Sequence, residues 1–517
     1  MSTEFIEQTD INHNDIAMLE RHLELGDFSK AKKLCIEILN SNLSSKLLAS
    51  SLIKNFYIKS LDKDKALQFL LDLNEEIDSS PELKFQLADI FFMNKKNYPE
   101  AISLSVNILT DLVTRYNYPA ARIKLFHVYL DQNRIDLATD ELNVIKEFDD
   151  VSNLLKEELE AELHLKSYKF EKAYNKLKKI CTNENASVHA YKLLAESVKF
   201  NDHENVEEVK FLEKKLQHKK LSLEDKSTAY LFLAKVYMDC NKHKEAFNFI
   251  NKASKLYLKS FHYNASTELN FYKECLKLLE SPEIDFNNEE EETTNRSLRE
   301  NVFILSFPGA LNTDFLFYLS NLLSYEYAGD NSYLSHMLPG EKNSETSIDQ
   351  IKQILQMEAS DLDIFREFYE ENVKNDVGYL SKVVDTTALN FIYAPIIKKI
   401  FPNAKFIYIK SNKDKQIARS FISNISTKNH LANYNLKTAS ELYNIFTDSV
   451  KAIRDKFSDS FVEIDLEADL DENGDIKEDS LDRIADEIGT DLNLENYQSY
   501  QLAPLPVDIE NLVNELI

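Results

Sequence analysis

The sequence predicts a multidomain chain, an all-α superhelical solenoid followed by an α/β domain with a mainly parallel sheet. Three observations predict it. Only 7 of the 517 residues are glycine, and of these Gly26 alone precedes residue 290. With few positions free to take φ > 0, long helices joined by short turns are favoured in that half. A common spacing of large apolar residues and alanines recurs along it, the pattern of stacked helical pairs. Beyond residue 300 the period changes, and short β-branched and aromatic runs alternate with helical stretches, as in parallel α/β domains.

Length and charge narrow the classes of function. A chain of 517 residues exceeds one core, and 43% hydrophobic content suffices for packed domains. With 61 Lys+Arg against 87 Asp+Glu the net charge is −26. That balance argues against general nucleic-acid or anionic-membrane binding, which need a basic footprint. Cys35, Cys181, Cys240 and Cys275 are far apart and form no CxxC pair. They read as small buried apolar residues in a reducing compartment, with no structural metal expected. The opening MSTEFIEQTD has neither the basic nor the apolar region of a secretory signal. No run approaches the roughly 18–20 apolar residues of a membrane span. The expected location is cytoplasmic, without membrane insertion.

The helical repeats run in order from the N-terminus. The turn phrases GDFSKA and DKDKA end at Ala31 and Ala66. The register continues through Phe85, Leu87, Ala88, Phe91 and Ala101, with a one-residue insertion. It returns at Arg122, Leu125, Tyr129, Ala138, Leu142 and Ile145, and at Ala161, Ala173 and Leu177. The clearest copy covers 227–260, with Tyr230, Leu233, Ala234 and Tyr237, then Ala246, Ile250 and Ala253. Large residues at 230, 233 and 237 share one helix face, and the alanines sit where two helices cross closely. This spacing resembles the tetratricopeptide repeat, a helical hairpin that stacks into a superhelix. The resemblance implies a concave face that binds a peptide or partner protein. Its binding residues are not legible, because exposed positions vary without changing the register.

The acidic run SPEIDFNNEEEETTNR, 281–296, is a poor core former and reads as a linker. The expected division is therefore a solenoid over 1–280, a linker over 281–297, an α/β domain over 298–500 and a tail over 501–517. Strands are expected at 302–307, 379–385, 405–410 and 460–466. Helices are expected at 315–325, 347–374, 389–400 and 438–457.

Residues 385–405 read DTTALNFIYAPIIKKIFPNAK. Asp385, Leu389, Asn390, Phe391, Tyr393 and Phe401-Pro402-Asn403-Ala404-Lys405 resemble a segment of sulfotransferases, particularly those fused to tetratricopeptide arrays. The resemblance implies a P-loop-like α/β fold that takes 3′-phosphoadenosine-5′-phosphosulfate (PAPS) as donor. It places the phosphosulfate loop at Pro308-Gly309-Ala310-Leu311-Asn312-Thr313-Asp314, where only Pro308 and Thr313 match. Leu311 stands where the family has glycine, and Asp314 puts a negative charge where a phosphate would use the helix dipole. The family's catalytic carboxylate falls at Asp330, after Gly329; a plain acidic turn is the competing reading. Thr386 replaces a lysine, and the Arg and Ser that hold the nucleotide 3′-phosphate become Ser411 and Arg419. Lys410, Lys413 and Lys415 are nearby basic alternatives.

Two functional readings follow. The first is a protein-binding scaffold or adaptor whose degenerate sulfotransferase-like domain, a pseudoenzyme, does not turn over PAPS. In the second, an active sulfotransferase uses Asp330 as base, Pro308, Gly309, Asn312 and Thr313 around the sulfuryl group, and Ser411 with Arg419 on the 3′-phosphate. The segment 463–495 holds 14 Asp/Glu against Lys477 and Arg483, which would repel a polyanionic donor. Within it Asp469, Asp471, Asn473 and Asp475 have the spacing of a calcium loop, but Ser480 stands where a bidentate Glu belongs. An acidic turn at Asn473-Gly474 is the preferred reading.

Overall fold

Close helix crossings leave room only for small side chains, and the alanines of the repeat register fill that role. In the computed structural model Ala31, Ala88, Ala101, Ala138, Ala161, Ala173, Ala234 and Ala246 are all fully buried. The structure describes residues 13–24, 27–39, 68–69, 71–73, 81–93, 101–149, 151–201, 207–217, 221–260, 264–282, 301–311, 313–329, 334, 345–358, 360–377, 382–423, 431–471, 475–492 and 513. Ala66 lies outside them. The described residues form two compact units that divide between Ile180 and Cys181.

The first unit is helical. Its elements are α1 (His13–Glu24), α2 (Phe28–Leu39), α3 (Pro81–Met93), α4 (Ala101–Tyr116), α5 (Pro119–Asp131), α6 (Ile135–Lys146), α7 (Asn153–Lys166) and, up to the dividing point at its last residue, α8 (Phe170–Cys181). From α3 to α7 each helix packs on the next in sequence. Ser105 on α4 donates to the Ala88 carbonyl of α3 at 2.7 Å, a contact that requires the close approach the alanine permits. Ion pairs join neighbouring helices: Lys84–Asp111 at 3.2 Å, Arg122–Glu141 at 3.0 Å, Lys124–Asp89, and Lys176–Glu160 at 2.9 Å.

The second unit opens with helices α9 (Val188–Ser197), α10 (Glu207–Gln217), α11 (Leu223–Asp239), α12 (His243–Ser260) and α13 (Ala265–Glu280). Ser187 and Ser222 cap α9 and α11, each hydroxyl accepting an otherwise unpaired amide from Ala190 or Asp225 at 2.9 Å. There follow β1 (Val302–Leu305), α14 (Thr313–Leu322), β2 (Glu326–Gly329), α15 (Glu345–Leu355), α16 (Asp363–Val377), β3 (Val383–Asp385) and α17 (Asn390–Ile400). The unit continues with β4 (Lys405–Lys410), α18 (Lys413–Ser423), a short 3-10 turn (Leu431–Tyr434), α19 (Leu436–Lys456), β5 (Phe461–Asp465) and α20 (Glu478–Ile488). All pairings are parallel, in the order β2-β3-β1-β4-β5. β1 is central and buried at every residue, as its unbroken apolar VFIL run requires.

Two expectations need correction. β2 was not expected: it is a four-residue edge strand with Glu326 exposed, too short and polar to show a buried period. The single helix expected over 347–374 is two, α15 and α16, divided by a turn in which the Asp361 amide donates to the Glu358 carbonyl at 3.0 Å. The acidic linker lies outside the described residues except for Ser281 and Pro282. Compactness joins the helices from Val188 to Glu280 to the sheet, whereas composition sets its boundary after them. One core runs from Phe247, Ile250, Leu269, Tyr272, Cys275 and Leu279 into Phe391, Phe421, Phe446 and Val450. No helix among the described residues is long and apolar enough to cross a membrane.

Candidate functional site

In an open parallel sheet the crevice for a ligand lies where successive connections diverge at the carboxyl ends of the strands. Here the chain leaves β1 towards β2 on one side and leaves β4 towards β5 on the other, so the crevice falls between β1 and β4. Pro308 and Gly309 follow β1, and Ser411 follows β4, at the carboxyl edge of the sheet.

The loop after β1 is a closed turn. The Ala310 amide donates to the Phe307 carbonyl at 2.9 Å, and Gly309 has φ +75°. Proline at the second position and a left-handed glycine at the third define a type II β-turn. An anion cradle needs several backbone N–H groups left free and pointing one way, and this turn spends one on itself. The turn is also clamped from α18 and the 3-10 turn. The Pro308 carbonyl accepts from Ser420 Oγ at 2.6 Å and from Asn433 Nδ2 at 2.8 Å, both buried donors. A Cβ on Gly309 would lie 2.8 Å from Ser423 Oγ and 3.2 Å from Ser420 Oγ. Gly309→Ala therefore combines a left-handed backbone with a clash and is expected to lower stability by about 1–3 kcal/mol in chemical denaturation.

At the end of β4 the donors converge on a carboxylate of the protein. Glu467 Oε1 accepts from Ser411 Oγ at 2.9 Å and from the Asn412 amide at 3.2 Å, and lies 3.5 Å from the Lys415 ammonium. Asn412 Oδ1 accepts from the Asp414 and Lys415 amides at the start of α18. Lys410 pairs with Glu463 at 3.0 Å and Asp465 at 2.8 Å across β4 and β5. Its bonds to Asp465 and then Glu463 hold its pKa above the ordinary lysine range. Burial pushes the Asp465 carboxyl up, but the Lys410 ammonium and the Glu467 and Ala468 amides together outweigh it, and the net shift is downward. The Lys413 ammonium stands 5.8 Å from the centre of the Tyr443 ring. Each of the three lysines near the strand end is thus answered from within the chain.

Asp385, at the end of β3, is fully buried. Its carboxylate accepts from Tyr369 Oη at 2.9 Å, the Thr387 amide at 2.8 Å and Asn390 Nδ2 at 3.2 Å. Burial pushes its pKa up against these three donors. Asn390 also donates to the Ile304 and Asp385 carbonyls, which ties β1 to β3. The matched Asp and Asn thus hold the strand ends in place.

Two of the remaining predicted residues lie on helices. Thr313 is exposed at the start of α14, and Arg419 is half-buried on α18 beside Ser420. Asn312 and Asp330 lie outside the described residues. Glu467, Ser420 and Asn433 were missed, since nothing in a single sequence marks a carboxylate 56 residues away as the partner of Ser411. A Pro-Gly pair closing a strand was the available signal for the turn.

In the acidic segment Leu470 and Ile476 form an antiparallel bridge. Asp469 accepts from the Asp465 amide at 2.7 Å, from Ser480 Oγ at 2.8 Å and from Arg483 at 3.0 Å. Asp471 Oδ1 accepts from the Asp475 amide at 3.0 Å. Asn473 lies outside the described residues, among which no group of acidic, His or Cys side chains is arranged to hold a metal ion. Cys35, Cys181 and Cys275 are buried and Cys240 is half-buried, none of them in a disulfide; burial pushes the Cys35 thiol up to about 12. No known protein family matches the chain, and no curated protein matches it.

Proposed function

We propose that the chain is a protein-binding scaffold or adaptor of the tetratricopeptide kind, and that its C-terminal domain is sulfotransferase-like in fold but does not use PAPS. The observation that carries this reading is the Glu467 carboxylate. The hydroxyl, backbone amide and ammonium available for a nucleotide phosphate after β4 are gathered on it instead. A phosphate at that place would have to displace the carboxylate and then sit beside it. The closed turn after β1 supports the same reading. Hydrogen bonds to charged groups are worth about 1.5–3 kcal/mol each, so losing three lowers affinity by several orders of magnitude. The residues present therefore do not fit PAPS. The protein-binding half of the reading rests on the stacked helical pairs and on the repeat register.

A thermal melt of the full-length chain with millimolar PAPS tests the domain. A donor with micromolar affinity would raise Tm by about 5 °C or more. The expected result is a shift within error. A rise of several degrees would overturn the reading and return attention to Asp330.

A further inference from the structure

Three turns between paired helices share one geometry. After α5, α7 and α11 one residue takes a left-handed φ: Asn133 at +56°, Tyr168 at +57° and Asn241 at +57°. The amide that follows reaches back to close the helix, from Arg134 to Tyr129, Lys169 to His164 and Lys242 to Tyr237, each at 2.8 Å. Asparagine tolerates this region, whereas a bulky aromatic residue there is strained. Burial does not compensate for the strain, because Tyr168 is 79% exposed. Phe170, 48% exposed, meets its ring edge-on, with centroids 6.2 Å apart and planes at 71°. Lysines flank the pair in sequence. Six of them and the single acid Glu171 lie between residues 166 and 179, in a chain of net charge −26. Lys166, Lys169, Lys172 and Lys178 are exposed. A strained, solvent-facing aromatic in a local reversal of charge points to use rather than to folding.

We propose that the turn between α7 and α8 docks an acidic peptide segment of a partner protein. Tyr168 and Phe170 would take one of its apolar side chains, and Lys166, Lys169 and Lys172 its carboxylates. The rings stand edge to face and offer no pair of parallel platforms for stacked bases. The charges are lysines rather than the arginines favoured for bidentate phosphate contact. Both features favour a peptide over a nucleic acid. The proposal deepens the protein-binding half of the reading above and is independent of the crevice between β1 and β4.

The test uses the full-length chain with fluorescent glutamate-rich peptides carrying one Leu or Phe, beside neutral and basic counterparts and oligothymidylate. Acidic peptides with an apolar residue are expected to bind. Tyr168→Asn should weaken them by about tenfold or more, and the triple change Lys166→Glu, Lys169→Glu, Lys172→Glu should abolish binding. Tyr168→Asn should also melt about 2–4 °C higher, because the strain is relieved. A lower Tm would make the ring a folding residue and overturn the proposal. So would acidic-peptide binding that neither variant alters, which would leave protein binding intact but place it elsewhere. Failure of every peptide to bind would overturn the proposal, and preference for oligothymidylate would assign the surface to nucleic acid.

Discussion

A fragment of residues 281–517 is expected to be insoluble or to lack a cooperative melt, whereas 181–517 folds. Its sheet is complete, but one face of the domain is made by helices that precede it in sequence. Phe247 packs on Phe421 with ring centroids 5.2 Å apart, Tyr257 stacks on Tyr434 at 5.1 Å, and Tyr272 meets Phe391 edge-on at 6.2 Å. Lys456 Nζ donates to the Leu279 and Ser281 carbonyls, both at 2.9 Å, and closes the end of α13. Burying a large apolar side chain is worth about 1.5–3 kcal/mol. Uncovering Phe391, Phe421, Tyr434 and their neighbours thus removes an amount comparable to the roughly 5–15 kcal/mol net stability of a whole domain. Circular dichroism melts of the two fragments decide the matter. A sharp melt of 281–517 equal to that of 181–517 would show that α11 to α13 are dispensable.

Lys398→Met is expected to destabilise the second unit by about 3 kcal/mol, with a pH dependence of definite sign. Lys398 Nζ donates to the Pro402 carbonyl at 2.6 Å, the Ala404 carbonyl at 3.0 Å and Ser460 Oγ at 2.9 Å. It pins the FPNAK turn between α17 and β4. Leaving the buried Ala404 carbonyl without this donor costs about 1–3 kcal/mol and the part-buried Pro402 carbonyl adds less, offset in part by removing a desolvated charge. Burial first, and repulsion from Lys405 second, lower the Lys398 pKa from 10.5 to about 8. Between those values the unfolded chain binds more protons than the folded one, so stability contributed at this site rises with pH. It is complete above about 10.5, falls as pH drops from there to about 8, and is constant below that. The loss caused by Lys398→Met, measured by denaturant titration, should therefore be larger at pH 10 than at pH 7. A smaller loss at pH 10 would mean that the ammonium charge itself holds the turn.

Legibility followed chemistry that is local in sequence. The helical pairs were readable because an alanine such as Ala234 and large residues such as Leu233 recur at fixed offsets. β1 and β4 were readable because their apolar runs are buried on both faces. β2 was not, since an edge strand of four residues with an exposed glutamate carries no period. Pro308 and Ser411 mark the strand ends beside the crevice, but the bonds made there were not legible. Ser420, Asn433 and Glu467 reach it from segments separated by 112, 125 and 56 residues from their partners. The composition boundary after residue 280 marks a polar segment; the core itself passes from the preceding helices into the sheet domain.

The central claim is that the protein's own groups fill the place of the donor nucleotide. Calorimetric titration of the full-length chain with PAPS and with its desulfated product, at low salt, tests it most directly. The account predicts heats no larger than those of dilution for both. Saturable micromolar binding of either would contradict it, and loss of that binding on mutation of Ser411 or Arg419 would show where the nucleotide sits.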